Sequence, residues 1–300
     1  MPESPDISRR LLEIFPPGFD STSRSVGSRG CYQYAPEQLY HSLTNNYTPY
    51  NHVEWTLVSS VWYGKQKKGA RHEFILIKVE DTLDGLTNFI VLDRNNSKNS
   101  PLRTQDDRGF NLSPGGIGCS QSCQSAAADA FRVSYNGIEA QLLQECQLQN
   151  NQYLEMIEFG PEGRLFLYQL VTLVQLVSES SHNYAVVGEN CYWFAGVIWE
   201  CIRALRPSAR YDERRARIRG TFARIRYTPD TEHIIKICQE FEQKIQLVED
   251  RLAWLRERWH RMEGFEMTAM GSPLDRRPDP GPGGGSMHFG GNGFNEGVVV

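Results

Sequence analysis

The sequence contains no apolar run approaching the roughly 18 residues needed to cross a bilayer. Its opening, Met1-Pro2-Glu3-Ser4-Pro5-Asp6, has neither the basic start nor the apolar stretch of a secretory signal peptide. An intracellular, cytoplasmic location without a transmembrane segment is therefore expected. There is no excess of positive charge: 32 Lys and Arg stand against 36 Asp and Glu, a net −4, so the molecule as a whole is no polyanion binder and any anion-binding face must be local. A disulfide framework is also missing. The 7 cysteines in 300 residues are odd in number and lack tight repeated spacing, as expected of reduced thiols available for chemistry. Cys119-Ser-Gln-Ser-Cys123 has no second Cys or His pair nearby and lacks metal-site spacing. The glycine-rich Ser113–Cys119 lacks the Lys-Ser or Lys-Thr ending of a phosphate loop and reads as a turn. No metal or cofactor is expected. What remains is an ordinary globular composition, 40% hydrophobic and 23% charged, long enough to bury a sizeable core.

Glycine, proline and serine concentrate at the two ends. Residues 1–30 read as a mobile N-terminal arm, with one apolar patch at Leu11, Leu12, Ile14 and Phe15 that Pro16-Pro17-Gly18 ends. Residues 264–300 carry Pro-Asp-Pro-Gly-Pro-Gly-Gly-Gly and too little apolar surface to offset the entropy of ordering, and read as a disordered tail. Between them the β-rich segments Val53–Tyr63, Glu73–Glu80 and Asn88–Asp93 suggest an antiparallel meander turning near Gly64–Gly69 and Asp81–Gly85. Residues 95–125 look loop-like. A short strand near Phe131, helices over 138–148, 162–177 and 191–205, and a strand over 153–159 then give an α+β domain over 31–206. An Arg-rich connector, 207–228, leads to a heptad-patterned helix over 229–263. Its stripe, Ile234, Cys238, Phe241, Ile245, Val248, Leu252, Leu255, Trp259 and Met262, suits packing on the chain's own core, with self-association as a coiled coil as the alternative.

Cys191 falls where an apolar helix should begin, behind Asn190, a favoured N-cap. Free backbone N–H groups and the helix dipole stabilise a thiolate at such a position. An inert core cysteine would occupy the same kind of stretch. The string Tyr184-Ala-Val-Val-Gly-Glu-Asn190-Cys191-Tyr192-Trp193-Phe194 resembles the Tyr…Asn-Cys-x-x-Phe signature of the permuted papain-like thiol hydrolase and acyltransferase superfamily, which includes lecithin retinol acyltransferase. The resemblance implies a papain-like core in which the cysteine is the nucleophile, preceded by a histidine on an early strand and a polar partner on the next strand. Tyr192-Trp193 stands where members often have Glu-His. A looser resemblance, to uncharacterised proteins of mushroom-forming fungi, implies no function.

His72 opens the second β segment and is the candidate base; His52, before the first segment, is the rival. A turn at Gly64–Gly69 sets residue 72 opposite about residue 61 and residue 52 opposite about residue 81, which separates the histidines by roughly 30 Å at about 3.3 Å per residue. They cannot share a site. The second turn brings Asp93 opposite about residue 75, near His72, as the orienting carboxylate, with Asn95 or Asn96 as substitutes. The reading is thus a thiol hydrolase or acyltransferase acting on an amide, ester or thioester, its acyl or peptide substrate unspecified, through Cys191, His72 and Asp93. The alternative is a non-catalytic protein that binds a partner through the heptad helix and the stretch Arg203–Arg226, where arginines and Tyr211, Phe222 and Tyr227 could meet an anionic surface.

Overall fold

The computed structural model describes residues 11–16, 30–45, 52–68, 71–96, 125–181, 183–184, 190–222 and 225–270. The chain divides into two units, Met1–His260 and Arg261–Val300. It is an α+β protein with an antiparallel sheet, and among the described residues no helix is long and apolar enough to cross a membrane.

The centre of the sheet is the meander β2 (Thr56–Gln66), β3 (Glu73–Asp81) and β4 (Leu86–Asn96). Phe74-Ile-Leu-Ile77 of β3 is apolar at every position because both faces of the strand are covered. Ile75 and Ile77 join the main core, whereas Phe74 and Leu76 join a smaller cluster with Leu142, Leu143 and Leu148. Lys65 pairs with Glu73 and Thr56 with Asp81, so pairing partners are displaced by four to five residues and the first hairpin turns about two residues later than the sequence suggests. Gly64 is the reason. It reads as a turn residue but lies inside β2, where a Cβ would strike the Phe74 ring. In the second hairpin Ile75 pairs with Leu92, one step from the expected register.

On one side the sheet continues through β5 (Ser125–Ser134) to β1 (Cys31–Tyr34), and on the other through β6 (Asn151–Glu158) to β9 (Arg210–Asp212). Short β7 (Leu165–Phe166) and β8 (Asn183–Tyr184) pair with β2 and β5, and β10 (Thr221–Phe222) pairs with β11 (Ile225–Arg226). β5 is longer than the sequence implies. Its Ala-rich start has little strand preference, and pairing to β4 from Asn96↔Ala127 to Ile90↔Val133 overrides it.

The main core lies between the sheet and helices α1 (Pro36–Asn45), α3 (Leu167–Ser180), α4 (Cys191–Leu205) and α5 (Thr231–Met270). The smaller cluster lies under α2 (Glu139–Glu145). Two expectations are corrected. Leu11, Ile14 and Phe15 do not belong to a mobile arm but are 5%, 0% and 0% exposed in the main core, with Asn88 donating to the Ile14 carbonyl. The heptad helix does not stop at residue 263 but runs to Met270. Ile237, Phe241, Val248 and Leu252 of α5 are buried against the chain's own core, and Ile234, Cys238 and Ile245 border it. Residues 1–10 and 17–29 of the arm, residues 271–300 of the tail, and Cys119 and Cys123 lie outside the described residues.

Candidate active site

α4 begins on a side-chain cap. Asn190 has extended backbone angles, and its Oδ1 accepts from the amides of Tyr192 (3.0 Å) and Trp193 (3.2 Å), while its carbonyl accepts from Phe194 N (3.0 Å). Of the first four amides of the helix, that of Cys191 is left out of these bonds. Cys191 itself is buried, 4% exposed. Arg94 locks the first turn in place. Its guanidinium lies 4.7 Å from the Trp193 ring and 4.8 Å from the Phe194 ring, grips Asp129 through Nε (2.6 Å) and Nη2 (2.7 Å), and donates to the Ser181 carbonyl at 2.9 Å. Such a bidentate, stacked role suits arginine alone.

Tyr192 donates its hydroxyl to the carbonyl of Arg71 at 3.2 Å, tying the start of α4 to the start of β3. Arg71 adopts φ 54°, a left-handed conformation unusual for a side-chain-bearing residue, immediately before His72. His72 Nε2 lies 3.0 Å from Asp93 Oδ2, and the Cys191 thiol interacts with the same ring. With Nε2 committed to the carboxylate, Nδ1 is the nitrogen left for the thiol. The structure therefore brings Cys191, His72 and Asp93 together. His52 stands in the turn before β2, while His72 hydrogen-bonds Gln66 at that strand's other end; the two histidines sit at opposite ends, as the meander requires.

Asp93 Oδ2 also accepts from Asn95 Nδ2 (2.8 Å) and Arg132 Nη1 (3.0 Å), whereas its buried Oδ1 has no partner among the described residues. Burial would raise the pKa of this carboxyl, but the hydrogen bond from His72 and the charge of Arg132 outweigh it and hold the group below the ordinary value of 3.8. Burial likewise pulls His72 down, yet the hydrogen bond to Asp93, the neighbouring Cys191 thiol and their charges lift it from 6.5 to about 10. The imidazole is thus held as a cation between two groups able to carry negative charge. Arg132, on β5 opposite Val91, is the member that sequence reasoning missed.

A second buried charge cluster flanks Cys191. Lys65 Nζ donates to Glu73 Oε1 (2.8 Å) and to the carbonyls of Ile218 (2.9 Å) and Thr221 (2.7 Å). Glu73 also accepts from Tyr63 OH (2.5 Å) and Gly220 N (2.9 Å). Gly220 has φ +67°, and a Cβ there would collide with the Tyr227 carbonyl, so glycine is required for the hairpin that closes over Lys65. The Lys65 ammonium sits 5.2 Å from the Tyr192 ring. The Arg-rich connector is thereby drawn into the fold: Arg219 pairs with Glu155 and Glu200, Arg203 with Glu213 (2.6 Å), Arg210 with Glu158 (3.3 Å) and Arg214 with Asp212 (2.5 Å).

Among the described residues no group of three His, Cys, Asp or Glu side chains could hold a metal ion. In comparisons with family models, curated proteins and solved structures, nothing matches the chain.

Proposed function

We propose that the chain is a thiol hydrolase or acyltransferase with a permuted papain-like core, acting on an amide, ester or thioester through an acyl-cysteine intermediate. The observation that carries this reading is the contact order Cys191–His72–Asp93, in which one imidazole meets a thiol and a carboxylate at the start of a helix. The Cys191 sulfur attacks the carbonyl carbon as a thiolate while His72 holds the proton, forming a C–S bond and placing negative charge on the carbonyl oxygen. The Cys191 amide, left out of the Asn190 cap, is the donor at hand for that oxygen. The tetrahedral species then expels the leaving group, which takes the proton from His72. Water or an acceptor alcohol, thiol or amine gives up a proton to His72 as it attacks and releases the acyl group from sulfur. Asp93 keeps the imidazole oriented and stabilises its charge, and Arg132 and Asn95 keep Asp93 in place.

The alternative, an anion-binding interaction protein, draws less support. Arg203, Arg210, Arg214 and Arg219 each face a carboxylate of the same chain, and the stripe of α5 from Ile234 to Leu252 packs on or borders the core.

The test is acylation by p-nitrophenyl acetate near pH 7, with the adduct located by mass spectrometry. An acetyl group on Cys191, formed with a burst of nitrophenol and lost at least about 100-fold in His72→Ala, is the expected result. Labelling of Cys191 no faster than that of Cys201, and indifferent to His72→Ala, would sink the proposal.

A further inference from the structure

The five described cysteines are all free thiols, and they are not scattered. Cys191 stands beside His72; of the other four, Cys31 and Cys146 pack against the same small cluster under α2 and interact with each other, and Cys201 interacts with Cys238 at the main core. The pairs differ in access. Cys201 is wholly buried, whereas Cys31 and Cys146 are both partly exposed, at the border of the cluster under α2. Cys31 starts the edge strand β1, opposite Ser134 of β5, and Cys146 is the residue that ends α2. Two positions along the same ladder Gln33 lies opposite Arg132, and that guanidinium donates to Asp93 and interacts with the Cys146 thiol. A thiol pair, an adjacent cation and partial exposure are what peroxide chemistry at cysteine requires.

We propose that Cys31 and Cys146 form a redox-active dithiol that a hydroperoxide such as hydrogen peroxide converts to an intrachain disulfide. The Cys31 thiolate attacks one peroxide oxygen, breaking the O–O bond and releasing hydroxide, to leave a sulfenic acid. Cys146 then attacks the Cys31 sulfur, an S–S bond replaces the S–O bond, and water leaves. Both sulfurs are oxidised by one electron and both peroxide oxygens are reduced, so two thiols and one peroxide give one disulfide and two waters. Cys31 is assigned the first attack because it lies two positions along the ladder from Arg132 on the partly exposed edge strand; the Cys146 thiol and the charge of Arg132 outweigh burial and lower it to about 7, while Cys146 is raised. The site is independent of catalysis at Cys191, although Arg132 places it one side chain from Asp93.

The experiment is to expose the full chain to a few equivalents of hydrogen peroxide at pH 7, block remaining thiols with N-ethylmaleimide and digest without reduction. A linked peptide joining Cys31 to Cys146, reversed by dithiothreitol and formed equally in Cys191→Ala, is expected, together with a dimedone adduct on Cys31 in Cys146→Ser. Recovery of both thiols in their maleimide form after Cys201 or Cys238 has already reacted would overturn the proposal. So would Cys31 reaching the sulfinic state unlinked, or a link from Cys31 to any other cysteine.

Discussion

Two buried charge clusters meet at the first turn of α4, and they are built to different specifications. In the Lys65–Glu73 cluster both side chains are at most 2% exposed, and the Lys65 ammonium has acceptors for all three protons. Both oxygens of Glu73 also receive donors. In the His72–Asp93 cluster the imidazole keeps 15% exposure, three donors crowd one carboxylate oxygen, and the other oxygen has none among the described residues. A saturated network has one arrangement and fixes the chain. One left open on a histidine that touches a thiol can gain or lose a proton without unfolding. Charge burial alone therefore does not mark the chemical group; incomplete pairing beside an accessible proton acceptor does.

The sharpest way to break this comparison is Lys65→Met. It leaves the Glu73 carboxylate buried without its cation and releases the hairpin at Gly220. A loss of about 3–5 kcal/mol in urea denaturation is expected, much of it recovered in Lys65→Met/Glu73→Leu, where no charge remains. The folded fraction should still acylate Cys191 within about tenfold of the parent rate. A small stability loss accompanied by collapse of Cys191 reactivity would reverse the roles assigned to the two clusters.

The open cluster is probed by pH. His72 is raised from 6.5 to about 10 in the folded chain, so its contribution to stability is complete below pH 6.5 and drains away as pH rises towards 10. Asp93 is lowered, so its contribution is present above pH 3.8 and is lost as pH falls through its folded value. Together they stabilise most between about pH 4 and 6.5. Asp93→Asn removes the carboxylate and leaves Arg132 beside the imidazole, which draws His72 back towards its ordinary value. Between pH 6.5 and 10 the stability difference between parent and variant should shrink by a few kcal/mol. A difference independent of pH over that window would mean that Asp93 does not hold the imidazolium.

How much of this site the sequence discloses follows from how local each signal is. Asn190 and Cys191 are adjacent, and the cap is a property of the helix start. His72 and Asp93 are 21 positions apart but belong to one meander, so hairpin geometry alone places them together even with the first turn misplaced. Arg132 lies in the segment read as a short strand near Phe131, but nothing in the sequence shows that this strand pairs with β4 and so returns Arg132 to Asp93, 39 positions away. Apart from Glu73, the partners of Lys65 are more than 150 positions away, and nothing near Lys65 suggests burial. The patch Leu11–Phe15 looks like part of an arm because two prolines end it, and only the neighbouring sheet face, through Asn88, gives it a place. Local capping and period-two patterns are legible; polar networks assembled across the chain are not.

The smallest expected effect separates cap from chemistry. Asn190→Ala removes the acceptor of the Tyr192 and Trp193 amides and should cost about 1 kcal/mol of stability in urea denaturation. Because those freed amides then compete with that of Cys191 for a developing negative charge, while the His72 contact is untouched, the variant separates holding the helix from holding the oxyanion. Acylation of Cys191 per folded molecule should change by less than about tenfold, with its dependence on His72 retained. Asn190→Asp should recover the cap at similar stability but slow acylation, because a carboxylate beside Cys191 opposes charge on the adjacent oxygen. If Asn190→Asp were as fast as the parent, the anion would not form at the start of α4, and the oxyanion donor would have to be sought elsewhere in the site.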